Sequence, residues 1–326
     1  MTNLMTDNIL TLTGLSKSFA RSGGENFVVN DVNLSLQRNS IFGLVGESGS
    51  GKTTIGRLSL RFTDATAGRI IFNGKDITDH KGSQLSNFRR DAQMVFQNPY
   101  GSFNPKKRLR VALRDYARLL GIHKNDIDDN IAARLEQTAL PTSILQSLPA
   151  ELSGGQLQRL AIARALLCDP LFLFADEPVS ALDVSVQAQI LKLLVELHSK
   201  RQMTILFVSH DLAVVETICD TVAVIYRGRI VEQAATEILF KNMLHPYTSL
   251  LLCSRPKEHP SKVLDCGLKD IGTMRMPMGE SVATQTTSDG CAFAPICPMK
   301  TERCMCAIPQ LSEIEPGHLC ACHEVF

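Results

Sequence analysis

Residues 41–53 read Ile-Phe-Gly-Leu-Val-Gly-Glu-Ser-Gly-Ser-Gly-Lys-Thr, an apolar run that leads directly into a glycine-rich loop. The run Ile41–Val45 lacks polar alternation and therefore predicts a strand buried on both faces of a sheet. A glycine-rich turn between a strand and a helix wraps a phosphate chain with its N–H groups, and the helix dipole favours the negative charge. The sequence thus predicts a phosphate-binding loop, made of Gly46, Glu47, Ser48, Gly49, Ser50, Gly51, Lys52, Thr53 and Thr54.

Two side chains of this loop carry the expected phosphate chemistry. Lys52 would reach the β- and γ-phosphates of a nucleotide, and the Thr53 hydroxyl would bind Mg²⁺. The alternative is an ordinary glycine-rich turn, but a chance match to this pattern occurs in about one chain in a hundred of this length. The preceding strand and the following helical pattern make a chance match rarer still.

A second element, residues 171–178, reads Leu-Phe-Leu-Phe-Ala-Asp-Glu-Pro and ends in two carboxylates. Its apolar half predicts a buried strand whose carboxyl end delivers Asp176 and Glu177 to the crevice where open α/β sheets bind ligands. Asp176 is suited to the Mg²⁺ shell, and Glu177 is suited to orient and deprotonate an attacking water. An Asp-Glu pair alone is more often a solvated strand end. In a chain with a phosphate loop, the catalytic interpretation is favoured.

Short apolar runs alternate with helical patterns through the first 230 residues, which predicts an α/β fold with a largely parallel sheet. The runs cover residues 41–45, 69–72, 93–96, 171–175, 204–208 and 221–225. Residues 98–165 have a mostly helical pattern, so we expect an inserted helical subdomain there. The pattern fades after Tyr247. We therefore expect one main domain over residues 1–255, followed by a linker and a cysteine-rich extension over residues 256–326.

The composition excludes several classes of protein. The chain has 326 residues, of which 44% are hydrophobic, so its composition is not that of a disordered protein. Its 34 Lys+Arg nearly balance its 33 Asp+Glu, so its net charge does not indicate nucleic-acid binding. No apolar stretch approaches the ~18 residues that a membrane span needs, and the first residues lack the pattern of a signal peptide. We therefore expect a soluble globular protein that is neither secreted nor membrane-spanning.

The segment that narrows the class reads Leu-Ser-Gly-Gly-Gln at residues 152–156. A Ser-Gly-Gly turn that opens a helix makes a second anion-binding site. With this motif the chain resembles the ATPase subunits of ABC transporters over about residues 9–255. The resemblance implies a P-loop NTPase core and two ATP molecules sandwiched between two chains. The residues facing the partner's phosphate loop would be Ser153, Gly154, Gly155 and Gln156.

Further residues match motifs of that family in the family's order. Phe19 matches the aromatic residue that stacks on adenine, and Gln97 matches the glutamine that touches Mg²⁺ and the attacking water. Asp183, in Ser-Ala-Leu-Asp, matches the loop that crosses the dimer interface. His210 matches the histidine that supports the γ-phosphate and the catalytic glutamate. Each residue alone would more simply be a core or strand-end residue, but the motifs occur together and in order.

The closer resemblance is to the ATPase subunits of peptide and nickel importers, on stretches such as Asn-Pro-Tyr at 98–100 and His-Pro-Tyr-Thr at 245–248. It implies two transmembrane permease subunits as partners and a second ATPase chain, identical or related, as dimer partner. An extracytoplasmic solute-binding protein would take part indirectly, and no nucleic acid would be bound. The chain would lie peripherally at the cytoplasmic face of the inner membrane and drive uptake of peptides, or of nickel and other metal chelates.

The rival function is a soluble ABC ATPase that acts on nucleic acid or in cluster assembly. DNA-repair relatives carry long coiled-coil insertions between the glutamine and the signature segment, but here only 56 positions (153 − 97) separate Gln97 from Ser153. Translation-type relatives carry two ATPase modules, whereas this chain has one phosphate loop. A degenerate subunit that does not hydrolyse ATP is a third possibility. Retention of Lys52, Asp176 and Glu177 argues against it.

Six of the ten cysteines lie in the last 36 positions, a crowding that favours metal or cluster binding over disulfides in a chain without a signal peptide. The tail resembles the C-terminal motif of the peptide and nickel importer subfamily, in which four cysteines hold an iron–sulfur cluster. The matching residues are Cys291, Cys297, Cys304 and Cys322, and the implied cofactor is a [4Fe-4S] cluster. Their spacing is too wide for a typical structural zinc knuckle. Zinc, with ligands drawn also from Cys306, Cys320, His318 and His323, and reduced buried thiols remain the alternatives.

Overall fold

The computed structural model describes residues 7–21, 24–253 and 289–325. Its main feature is an eight-stranded sheet, and five neighbouring strands of that sheet run parallel. Their order is β9 (Thr221–Tyr226), β3 (Ile41–Val45), β8 (Thr204–Ser209), β7 (Phe172–Asp176) and β6 (Ala92–Val95). These strands are buried almost throughout, which explains why their sequences read as continuous apolar runs. Parallel order brings their carboxyl ends to one edge, where β3 and β7 both end.

A second, antiparallel sheet was not predicted from the sequence. It joins β2 (Gly24–Gln37), β1 (Asn8–Arg21), β4 (Ala67–Phe72) and the short β5 (Lys75–Asp76). The run at residues 69–72 belongs to this antiparallel sheet, whereas the sequence predicted only one, largely parallel sheet. Leu10 and Leu12 in β1 are buried, whereas Thr11 and Thr13, which alternate with them, are more exposed. Such alternation marks strands with one face toward the core, and a search for unbroken apolar runs overlooks it.

Helices cover the parallel strands and fill the segment between β6 and β7. The helices outside that segment and before the C-terminal extension are α1 (Lys52–Ser59), α2 (Gly82–Asp91), α6 (Val184–Arg201), α7 (Leu212–Ile218), α8 (Thr236–Lys241) and α9 (Pro246–Cys253). Between β6 and β7 lie α3 (Leu109–Leu119), α4 (Ile127–Gln137) and α5 (Gly154–Ala165), with short 3-10 turns. These three helices pack around an apolar cluster of their own, which includes Leu113, Ile131 and Leu157. The cluster explains the helical pattern of residues 98–165.

The C-terminal residues add to the edge of the large sheet. After β10 (Arg229–Ala235), which pairs antiparallel with β9, the sheet continues with β12 (His318–Cys320) and β11 (Ser312–Glu315). The short helix α10 (Glu302–Cys306) lies in the same extension. The predicted linker runs from Ser254 to Gly290, and its residues 254–288 lie outside the described residues. None of the helices in the described ranges combines the length and apolarity needed to cross a bilayer.

Candidate functional site

The phosphate loop joins β3 to α1, as the sequence predicts, and its backbone is shaped for close packing. Gly51 precedes the helix with φ 108°, a conformation that side chains with a Cβ rarely adopt. A Cβ at Gly51 would also lie 2.6 Å from the carbonyl oxygen of Val28, so glycine is required there twice over. The loop therefore presents its N–H groups at the start of α1, where the helix dipole favours an anion.

Lys52 is 5% exposed and points back along the loop. Its Nζ donates to the carbonyl oxygens of Gly46 and Glu47, each at 2.7 Å. Burial lowers the pKa of this ammonium group, opposed by the nearby charges of Glu177 and Asp176. The lysine is a partly desolvated cation at the N-terminus of α1, an arrangement that a phosphate group would complement.

Asp176, at the end of β7, faces the loop. The Thr53 hydroxyl donates to Asp176 Oδ1 at 3.0 Å, so the two groups that the sequence assigns to Mg²⁺ are in contact. Burial raises the pKa of the Asp176 carboxyl, and the charge of Glu177 adds to that effect while the Thr53 hydrogen bond opposes it. A divalent cation would relieve this penalty, because it favours the ionised carboxylate.

Glu177 is the meeting point of the predicted catalytic residues. Gln97 Nε2 donates to Glu177 Oε2 at 3.0 Å, and His210 Nδ1 lies 3.2 Å from the same oxygen. Glu177 itself has φ 43°, a strained conformation for a residue with a Cβ, and its N–H donates to Val208 O at 3.0 Å. The carboxylate is held by an amide and an imidazole, the arrangement expected of a group that must be aimed at a water molecule.

Most of the predicted loop, together with Gln97, Glu177 and His210, lines one cleft of about 550 Å³. Its walls are formed by Ser48, Gly49, Gly51, Lys52, Thr53, Thr54, Gln97, Glu177, His210 and Val28. Of these residues, only Val28 was not predicted from the sequence, because it lies on β2, a strand of the sheet that was not predicted. A second residue that was missed as a functional group is Tyr247, whose hydroxyl accepts from the Glu47 N–H. The Tyr was visible only as part of a family motif.

The remaining predicted nucleotide residues do not line this cleft. Phe19 is 48% exposed, and the Lys17 ammonium lies 5.1 Å from its ring centroid. Ser153 and Gln156 form a capping box at the start of α5, in which Ser153 N–H donates to Gln156 Oε1 at 3.0 Å. Asp183 is the residue before α6. Within one chain, Ser153, Gly154, Gly155 and Gln156 therefore do not contribute to the lining of the cleft.

The tail cysteines are near one another. Cys291 N–H donates to Cys304 O at 2.8 Å. Burial raises the pKa of Cys297 to about 11, and the charges of Cys322, Cys291 and Cys304 act in the same direction. Yet within residues 289–325, as in the other described ranges, no group of three or more Cys, His, Asp or Glu side chains has an arrangement that could hold a metal ion.

The other tail residues considered as ligands have different surroundings. Cys320 is buried in β12 beside Glu232, and Cys306 is exposed at the end of α10. His318 Nε2 lies 2.8 Å from Glu232 Oε1, with both side chains fully buried, and His323 Nε2 lies 3.0 Å from Ala307 O. These contacts engage one ring nitrogen of each histidine within the protein.

Comparison with known proteins agrees with this geometry. Residues 29–180 match the family model described as ABC transporter, and residues 231–304 match one described as oligopeptide/dipeptide transporter, C-terminal region. A putative peptide import ATP-binding protein of Brucella ovis is 41% identical, with 96% of this chain and 97% of the relative aligned. The chain belongs to the ABC transporter ATP-binding proteins.

Other relatives extend the likeness of this ABC ATPase. The oligopeptide transport ATP-binding protein AppF of Bacillus subtilis is 38% identical over 99% of both chains. The dipeptide transport ATP-binding protein DppF of Lactococcus lactis is 43% identical over 73% of this chain and 77% of its own. Among solved structures, cbiO1 of Clostridium perfringens has a TM-score of 0.64 at 27% identity, covering 72% of this chain and 91% of that one. A dimeric ATP-binding cassette bound to ADP and Pi, at 24% identity and a TM-score of 0.63, shares the fold.

Proposed function

We propose that this ABC ATPase energises the uptake of peptides through transmembrane partner subunits. Relatives named for peptide, oligopeptide and dipeptide transport align with most or all of the chain and support the peptide class. The observation that carries the proposal is the cleft itself. It gathers the phosphate loop, Gln97, Glu177 and His210 on one side of the parallel sheet, and Asp176 contacts Thr53 beside it. Uptake of nickel or another metal chelate is the second candidate solute class.

The residues of the cleft divide the chemistry of ATP hydrolysis among themselves. The loop N–H groups and Lys52 bind the phosphates and neutralise charge that builds up on them. Thr53, Asp176 and Gln97 offer the oxygen ligands that Mg²⁺ prefers and would hold it, and the ion would neutralise phosphate charge when bound. Glu177 orients the attacking water and accepts its proton, while Gln97 and His210 hold the carboxylate in position.

The complete nucleotide site requires a second ATPase chain. Ser153, Gly154, Gly155 and Gln156 do not line the cleft of their own chain but form a helix N-terminus suited to a phosphate. We assign them to the γ-phosphate of the ATP held by the partner chain, with Asp183 at the interface between the chains. Phe19, exposed on β1, is assigned to the adenine ring. The partner is an identical or a related ATPase chain.

We assign the coupling of hydrolysis to transport to the helical subdomain. Residues 98–165 begin directly after Gln97, so a change at Glu177 has a short route to them. Two permease subunits would dock there, and a solute-binding protein on the other side of the membrane would act through them. The ATPase would then sit peripherally at the cytoplasmic face of the inner membrane, with its ATPase domain in residues 1–255 and an extension in residues 256–326.

Purification from solubilised membranes and an uptake assay test this function together. We expect a tagged chain to co-purify with two permeases, and a strain lacking it to lose uptake of labelled di- or oligopeptides. Loss of nickel uptake with peptide uptake intact would move the proposal to the metal-chelate class. Co-purification of ribosomes or DNA without permeases would contradict transport and favour the soluble ABC ATPase.

We also propose that the extension binds an iron–sulfur cluster through Cys291, Cys297, Cys304 and Cys322. Support comes from the donor set: burial raises the pKa of Cys291, Cys297 and Cys322, the charges of neighbouring thiols of the set add to this effect, and bound iron would relieve the penalty. Their side chains would have to move together to ligate a cluster, since they do not form a metal-holding group as they stand. Anaerobic purification followed by iron, sulfide and zinc analysis is the test. Stoichiometric zinc would favour the alternative metal, and the absence of all three would favour structural thiols.

A further inference from the structure

Tyr247 contacts the phosphate loop from 200 positions away in the sequence. Its hydroxyl oxygen accepts a hydrogen bond from the Glu47 N–H at 3.1 Å. The side chain is fully buried, and neither Tyr247 nor Glu47 lines the nucleotide cleft. Any effect of Tyr247 on ATP must therefore pass through the loop backbone.

Glu47 is fixed through both of its backbone polar groups. Its N–H is held by Tyr247, and its carbonyl oxygen accepts from Lys52 Nζ at 2.7 Å and from Ser50 N–H at 3.2 Å. Glu47 thus connects the buried Tyr247 hydroxyl to the Lys52 ammonium, which binds phosphate in the proposed site. Without the Tyr247 hydroxyl, the Glu47 N–H would lack its hydrogen-bond partner. The position of the Glu47 carbonyl, which accepts from Lys52, would then be less well fixed.

Tyr247 is in turn connected to the C-terminal extension by a buried chain of hydrogen bonds. Its N–H donates to His245 Nδ1 at 3.0 Å, and His245 N–H donates to Glu232 Oε2 at 3.0 Å. Glu232 Oε1 lies 2.8 Å from Nε2 of His318 on β12. Glu232, His245 and His318 are each at most 2% exposed, so water offers these groups no substitute partners.

Aromatic side chains also connect Tyr247 to the C-terminal extension. The rings of Tyr247 and Phe293 are 5.7 Å apart, and the Phe293 ring also lies 5.7 Å from His245. Phe293 stands between Cys291 and Cys297 in the sequence and is 2% exposed. The cysteine-rich extension is therefore packed against the residue that holds Glu47, by a ring as well as by hydrogen bonds.

We propose that Tyr247 is a positioning residue for the phosphate loop, and that the buried route His318–Glu232–His245–Tyr247 lets the C-terminal extension set the affinity of the site for ATP. The proposal rests on the assignment of the nucleotide cleft made above. It adds a function for the His-Pro-Tyr-Thr segment and for the histidine of β12, neither of which touches the nucleotide cleft.

Tyr247→Phe is the first variant, because it keeps the ring in the aromatic cluster and removes only the hydroxyl. We expect the KM for ATP in the chain's own ATPase reaction to rise about fivefold, with kcat within about twofold of wild type. Hydrogen exchange at the Glu47 amide, measured without nucleotide, should become faster. Tyr116→Phe is the matched control, since it removes another partly buried hydroxyl, one that lies on α3 and donates to Gln93 of β6, and should change neither quantity.

A pair of variants at His318 tests the connection to the extension. His318→Leu removes the donor to Glu232 and should raise KM in the same direction, with no further rise when combined with Tyr247→Phe. His318→Gln keeps an N–H donor and should restore KM toward wild type. Unchanged KM and unchanged Glu47 exchange in Tyr247→Phe would overturn the positioning role. A His318→Leu effect that simply adds to that of Tyr247→Phe would overturn the route.

These outcomes are separate from those that test peptide import. The ATPase and exchange measurements use the full chain without permeases, so a failure of the uptake assay leaves them unaffected. A wild-type chain without any ATPase activity would instead contradict the function of the cleft. The exchange rate at Glu47 would still report whether Tyr247 holds the loop.

Discussion

His245 shows how one buried side chain ties stability to pH. It is fully buried, and burial lowers the pKa of its imidazole from 6.5 to about 4, against the pull of Glu232. Its Nδ1 accepts from Tyr247 N–H, which requires the neutral ring. The unfolded chain binds a proton at this residue near pH 6.5 and the folded chain does so only near pH 4, so protons favour the unfolded state between these values.

The free energy of unfolding should therefore fall as the pH drops from about 6.5 to about 4, by about 3 kcal/mol from this residue. Denaturant titrations at several pH values measure the slope. His245→Asn keeps an acceptor for the Tyr247 N–H but cannot be protonated, and should flatten the curve. His123→Asn, at an exposed position, should leave the slope as it is in the wild type. An unchanged slope in His245→Asn would show that other groups cause the loss.

At the same scale, the chemistry of the cleft was readable from the sequence and the support behind it was not. Lys52, Asp176, Glu177, Gln97 and His210 stand in short motifs whose residue types match phosphate chemistry. Four of them line one cleft, and Asp176 contacts Thr53 of its wall. Tyr247 could not be found in this way, because its contact with Glu47 depends on a fold that brings distant segments together.

Among the secondary-structure elements, the packing of α5 against α6 depends on a small residue. A Cβ at Gly155 would lie 2.6 Å from Cγ1 of Val186, closer than real Cβ contacts. Gly155→Ala should therefore lower the free energy of unfolding by about 1–3 kcal/mol, although alanine is the better helix former. Chemical denaturation of the purified variants measures the change.

Val186→Ala provides the second half of a double-mutant cycle. It removes the atom that the new methyl group would meet, so Gly155→Ala should cost much less in the Val186→Ala background than in the wild type. Gly101→Ala is the control, because a Cβ there meets no atom within 4 Å. Equal costs of Gly155→Ala in both backgrounds would mean that Val186 is not the obstacle.

The sequence predicted some of the strands and helices and missed others. The five parallel strands were found because each is a buried run with a uniform apolar sequence. The long strands β1 and β2 alternate polar and apolar residues, and β12 has only three residues, so neither kind gives an apolar run. The helical segment between β6 and β7 gave a clear signal because its three main helices share an apolar cluster.

For the whole molecule, the proposed sharing of ATP between the phosphate loop of one chain and Ser153–Gln156 of another predicts that dimer formation depends on ATP. Glu177→Gln should bind ATP without hydrolysing it, so ATP should convert this variant to a stable dimer. Sedimentation velocity with ATP and with ADP measures the state. Adding Ser153→Arg, which places a bulky cation at the proposed interface, should keep the variant monomeric. A dimer that forms equally well without nucleotide would contradict an ATP-bridged interface.

The assignment of Glu177 as the base that activates water is the central claim, and the ATP turnover of Glu177→Gln tests it most directly. The amide keeps the size of the side chain and a hydrogen-bonding group for Gln97 and His210, but it cannot accept the proton. We predict that the Kd for ATP stays within about threefold of wild type while kcat falls about 10²- to 10⁴-fold. Turnover near the wild-type rate, with ATP bound normally, would show that another group takes the proton.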